Sequence, residues 1–130
     1  MFSHIMVGTN DIERSKAFYD AVLGVLGAGE PVRNTNKTGQ NRLFYRHDGS
    51  AFCVSEPING EAATVANGGT IGFACHSPEQ VRQFHETAVL HGGTPIEAPP
   101  GMRKGTLGDL YIAYVRDPDG NKLCALYRAE

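Results

Sequence analysis

Cysteine is scarce in this sequence: Cys53, Cys75 and Cys124 form an odd set with no CxxC spacing. That excludes a disulfide framework and points to reduced thiols, as in a cytoplasmic protein. Charge of one sign is also lacking. The formal net charge is −2 and Lys and Arg do not cluster, so nucleic acid is not expected as a partner. No apolar run approaches the ~20 residues that a membrane span needs, and the opening residues lack a charged-then-apolar signal segment, so no membrane is expected either. What is present is an ordinary globular mixture, 41% apolar and 20% charged, in 130 residues. That length suits a single domain with a core of its own. Sixteen glycines and seven prolines imply many turns and a sheet-rich fold.

The two halves of the chain read alike. "HIMVGTNDIERSKAFYDAVLGVLGA" (4–28) lies over "TIGFACHSPEQVRQFHETAVLHGGT" (70–94) at a constant offset of 66, pairing Ile5 with Ile71, Glu13 with Glu79 and Phe18 with Phe84. Each copy opens with a strand of alternating apolar residues. A cap follows, Asn10 or Asp11 in the first copy and Ser77 with Pro78 in the second. An amphipathic helix comes next, closed by Gly24 or Gly27 in the first copy and by Gly92–Gly93 in the second. Three further strands are predicted after each helix, near 28–34, 41–47 and 51–56, then near 94–98, 110–116 and 121–127. The "RHDGSA" and "RDPDGN" segments supply Asp–Gly hairpin turns. "APPGMRKGTLGD" (98–109) reads as a long irregular loop. The expectation is an α+β domain of two βαβββ modules, about 1–60 and 68–130, that must pack together or exchange between subunits.

The repeat, the opening "HIMVGTNDIERSKAFYDAVLGVLG" and the closing "DPDGNKL" together resemble the vicinal-oxygen-chelate superfamily of glyoxalase I, bleomycin-resistance proteins, fosfomycin-resistance enzymes and extradiol dioxygenases. The resemblance covers nearly the whole chain. It implies an incomplete eight-stranded barrel around a cavity, and homodimers. It also implies a divalent metal bound by His and Glu from the first, fourth, fifth and eighth strands. Carried over one position at a time, the ligands fall on His4, near Val54, on Thr70 and on Cys124. Only His4 matches the family's residue type.

Strand phase sends His4, Met6 and Gly8 one way and Ile5 and Val7 toward the helix. The same rule predicts that Thr70, Gly72, Ala74 and His76, Val54 with Glu56, and Cys124 with Leu126 face the cavity. A rearranged metal site would then use His4, Cys124 and Glu56, with His76 as a further candidate, a donor set suited to zinc. Each residue also has a plainer role. His4 would line the cavity, Cys124 would be a small buried hydrophobe, and Glu56, just before Pro57, would be solvated. His47 reads as a turn residue, His76 as a helix-start residue, and His85 and His91 as solvated positions. Arg103 and Lys104, in a loop overhanging the cavity, would draw in an anion.

Three functions compete. The first is a metal-free binder of a small, including anionic, molecule, which needs no cofactor. The second is a lyase or dioxygenase of the glyoxalase type, using zinc, nickel, iron or manganese as a Lewis acid. The third is a metal-free enzyme with His4 as base or Cys124 as nucleophile.

Overall fold

In the computed structural model, which describes residues 1–129, the repeat is visible as two four-stranded sheets. The first module comprises β1 (His4–Gly8), α1 (Ile12–Val25), β2 (Val32–Thr35), β3 (Asn41–His47) and β4 (Ser50–Ser55). The second comprises β5 (Ile71–Ala74), α2 (Pro78–Leu90), β6 (Thr94–Gly105), β7 (Gly108–Arg116) and β8 (Lys122–Arg128). The strand orders, β1-β4-β3-β2 and β5-β8-β7-β6, are the same in both. β1 pairs parallel with β4, as β5 does with β8, and the other neighbours are antiparallel. The sheets do not close into a barrel, in keeping with the incomplete barrel that the resemblance implied.

The helices start where the sequence predicts. Asp11, of the two cap candidates, accepts a hydrogen bond from the Arg14 amide at 3.1 Å. Ser77 accepts from the Gln80 amide at 3.1 Å, with Pro78 in the first turn. At the end of α1, Gly27 takes the positive φ (101°). Gly93 after α2 is required for a different reason: a Cβ there would lie 2.7 Å from the Ala88 carbonyl oxygen and 3.0 Å from Phe18 of the other module.

One core serves both modules. Ile12, Phe18, Tyr19 and Val22 of α1 and Val81, Phe84 and Ala88 of α2 meet the inner faces of both sheets. An aromatic chain crosses between the modules: Tyr19 to Phe52, Phe52 to Phe73 and Phe73 to Phe84, with ring centroids 4.7, 5.4 and 5.5 Å apart.

Two expected segments differ. β2 is shorter and later than 28–34. The 98–109 loop is mostly strand, β6 running to Gly105 and β7 starting at Gly108, so Arg103 and Lys104 lie in an edge strand rather than in an overhanging loop. The register shift between Ile96 and Gly101 explains the misreading. Glu97 there adopts φ +60°, and Pro99 and Pro100 sit in the bulge on an edge strand, where a missing N–H breaks no ladder.

The modules are joined by a buried polar knot built on the DPDGN turn. Asp119 Oδ2 accepts from the Thr9 hydroxyl at 2.7 Å and the Ser15 hydroxyl at 3.1 Å. Its Oδ1 accepts from the Asn10 amide and from Arg14 Nη2, both at 2.9 Å. Asp117 takes the Tyr19 hydroxyl at 2.5 Å and the Asn121 amide at 2.8 Å. Asp119→Ala is expected to destabilise the fold by about 2–4 kcal/mol, because it strands buried donors of β1 and α1. Urea unfolding checks this, and a change under ~0.5 kcal/mol would mean that the knot does not hold the modules together.

Candidate functional site

Strand register decides which side chains share a face, since residues paired across a ladder point the same way. In the first module Ile5 pairs with Phe52 and Val7 with Val54, all packed in or against the core, whereas His4 pairs with Ala51 and Met6 with Cys53. Val54 is therefore not on the cavity face. It is fully buried in the core, and the residue beside it, Cys53, takes the open face. The alignment misses by one residue, which in a strand reverses the side.

The open face of the first sheet forms a hollow of about 600 Å³, lined by His4, Met6, Arg42, Phe44, Arg46 and Cys53. β3 places Arg42, Phe44 and Arg46 there by alternation, leaving Leu43 and Tyr45 for the core. Arg42 lies over the Phe44 ring at 5.5 Å and donates from Nε to Asn34 Oδ1 at 3.0 Å. The His4 Nδ1 is 2.7 Å from the Ser3 hydroxyl oxygen. Strict alternation through "NRLFYRH" was the signal that could have found this basic, partly apolar face.

In the second module Gly72 pairs with Cys124 and Tyr114 with Cys124 from the other side, while Ala74 pairs with Leu126. Met6–Cys53 and Gly72–Cys124 are thus equivalent pairs, and the repeat puts a cysteine at the same place in each sheet. Thr70 lies just before β5 and is exposed. It borders a polar pocket with Arg116 and Lys122. Lys122 lies 4.7 Å from the Tyr114 ring centroid and pairs with Glu97. Arg103 pairs with Leu110 on the Cys124 side of the sheet, and Lys104 points to the opposite side. Arg103 Nη2 is held by the Pro99 carbonyl at 3.1 Å.

The donor set fits the family's metal poorly. Glu56 is committed elsewhere, its Oε1 accepting from the Asn41 amide at 2.6 Å and from Asn41 Nδ2 at 3.2 Å. His76 uses its amide to bond Gln80 Oε1 at 2.7 Å at the start of α2. Among the described residues no group of three or more His, Cys, Asp or Glu side chains could hold a metal ion. The thiols are also poor nucleophiles as they stand. Burial pushes the Cys124 thiol up to about 11, with Cys75 and Glu97 adding to the shift and Lys122 opposing it. Burial raises Cys53 too, against the pull of Arg42 and Arg46, and raises Cys75 to about 11. A thiol held protonated is a weak nucleophile.

With this geometry in hand, comparison with known proteins settles the family. The profile of the Glyoxalase/Bleomycin resistance protein/Dioxygenase superfamily matches residues 1–125, and the chain belongs to that superfamily. It is similar to a glyoxalase/bleomycin resistance protein of Albidiferax ferrireducens T118, known from its crystal structure, at 56% identity and a TM-score of 0.90, over 98% of this chain and 99% of that one. It is 28% identical over 119 residues to lactoylglutathione lyase GLX1 of Arabidopsis thaliana, covering 92% of this chain but only 41% of the plant protein. It is 26% identical over 117 residues to a protein of Vibrio cholerae named "Probable lactoylglutathione lyase", covering 90% of this chain and 83% of that one. Among the described residues no helix is long and apolar enough to cross a membrane.

All three cysteines are free and buried. In the native protein near pH 7.5, iodoacetamide is expected to modify none of them within an hour, and all three after denaturation, as read by intact mass. Rapid native labelling of Cys53 or Cys124 would show a thiolate that this burial does not allow.

Proposed function

We propose that the chain is a small-molecule binder of this superfamily that works without the family's metal, taking a small anionic ligand in the hollow of the first sheet. One observation carries the reading: the equivalent pairs Met6–Cys53 and Gly72–Cys124 offer cysteines where metal-binding members of the superfamily are expected to offer carboxylates, and among the described residues no third donor stands beside them. Arg42 and Arg46 supply positive charge, Phe44 and Met6 an apolar wall, and His4 an imidazole that can donate or accept. A cytoplasmic homodimer is part of the proposal. Free cysteines support the compartment, and the family resemblance supports the dimer, which light scattering after gel filtration tests.

A second reading is favoured by the names of the plant and Vibrio relatives. A lyase of the glyoxalase type would need a metal around His4 with Cys124 and a freed Glu56. The metal would polarise the substrate's paired oxygens, and a carboxylate on the chain would move the proton. Glu56, tied to Asn41, is not placed for that.

Metal content after chelation and reloading with nickel, zinc, manganese and iron separates the two readings. The expected result is well below one metal per folded chain, and near-stoichiometric retention would overturn the metal-free reading. Thr70→His with Cys124→Glu is expected to raise nickel affinity at least tenfold by titration calorimetry. No gain in a folded double variant would show that these are not the family's ligand positions. Lactoylglutathione formation from methylglyoxal and glutathione is expected to stay at the uncatalysed rate.

A further inference from the structure

The repeat is not symmetric at its seam, and the asymmetry leaves a cavity. At one end of the seam the DPDGN turn of the second module fills the corner between β1 and α1 through Asp119. The symmetry-related place lies between the β3–β4 turn, residues 47–50, and the corner between β5 and α2. Nothing there forms such a knot. At the offset of 66, Thr9 becomes Cys75, Ser15 becomes Val81 and Arg14 becomes Gln80, so two hydroxyls and a guanidinium are lost. Asp48, the acidic residue of this turn, pairs instead with its neighbour His47 at 3.3 Å. Gln80 is already spent, accepting from the His76 amide and donating to the Val25 carbonyl at 3.0 Å.

The space that remains is a cavity of about 320 Å³, within the ~300–1,000 Å³ typical of small-molecule sites. Its lining reaches from the turn (His47, Ser50) to the other corner (Ala74, His76), with Leu23, Leu26, Phe52, Ile71 and Phe73 as apolar walls. Ile71 and Phe73 face it from β5, on the side of the strand opposite to the Gly72–Cys124 pair. The polar side chains are His4, His47 and His76, the Ser50 hydroxyl, which donates to the His47 carbonyl at 3.3 Å, and a single carboxylate, Asp48, that His47 already engages. Imidazoles donate a hydrogen bond in either charge state. Apolar walls joined to imidazole donors match an apolar body that ends in one acceptor group bearing negative charge.

We propose that this seam cavity is a second ligand site, adjoining the hollow on the first sheet, and that it takes a medium-chain or aromatic monocarboxylic acid. The apolar tail lies against Phe52, Ile71 and Phe73, and the carboxylate accepts from the His47 and His76 imidazoles. The walls and His76 belong to this cavity alone, while His4, His47, Ser50 and Ala51 border both it and the hollow.

Octanoate is the probe, titrated into the full-length protein by calorimetry and by ¹⁵N-resolved chemical shifts. One octanoate per chain is expected, with the largest shifts at Gly72, Ala74 and His76. Ile71→Trp, which narrows the cavity from its wall and does not touch the hollow, is expected to weaken binding at least tenfold. His76→Ala is expected to weaken octanoate at least fivefold and leave octanol unchanged. Circular dichroism and the unfolding midpoint confirm that each variant is folded. The proposal is overturned if octanoate binds neither the parent nor the variants, or if folded Ile71→Trp binds it as the parent does. If binding survives Ile71→Trp but is lost in Arg42→Ala with Arg46→Ala, the acid occupies the hollow. The seam assignment then falls and the binder reading stands.

Discussion

A buried carboxylate with no free valence holds this molecule together. Asp119 is 3% exposed at its side chain and is met by two hydroxyls, an amide and a guanidinium, all from the other module. A carboxylate that deep is tolerated only when its lone pairs are filled. The requirement runs both ways, since Thr9 and Ser15 are themselves buried and need an acceptor. Each module therefore completes the other's hydrogen bonding. Asp117 repeats the arrangement one step deeper, and burial, reinforced by the Asp117 charge, drives the Tyr19 hydroxyl well above its usual range. The aromatic chain from Tyr19 to Phe84 then has a fixed frame to pack in.

Family membership and donor chemistry pull in different directions here. The backbone, the strand order and the DPDGN turn are those of a superfamily that contains metal enzymes, and a profile match over residues 1–125 leaves no doubt of descent. Yet the side chains that face outward from β1, β4, β5 and β8 are an imidazole, thiols, small residues, Met6, Leu126 and the cations Lys122 and Arg128, with no carboxylate among them. A fold keeps its shape through Asp119 and the shared core, neither of which involves the metal positions, so those positions are free to change without unfolding the chain.

Much of the fold was legible in the sequence because periodicity and turn chemistry are local. The repeat at an offset of 66, both helix caps and the Asp–Gly hairpins needed only neighbours in the chain. The failures were of another kind. Val54 was taken for a cavity residue because the gaps between the first and fourth strands blurred the alignment by one, and one residue turns core into surface. β6 hid behind three prolines and two glycines, since a bulge at Glu97 makes an irregular sequence compatible with a strand. The knot was invisible for a deeper reason. DPDGN announces a turn, but that its second aspartate reaches Thr9, 110 residues away, depends on how the modules pack.

The uneven seam also says something about how such a chain can be built. Two copies of the first half would bring together turns carrying Asp48–Gly49 and corners carrying Thr9 and Ser15, with no DPDGN to fill them. Two copies of the second half would offer Asp119 to corners lined by Cys75 and Val81, burying a charge against sulfur and methyl groups. The halves have become lock and key to one another. Whatever their common origin, neither is any longer a unit that duplication alone could turn into a working whole.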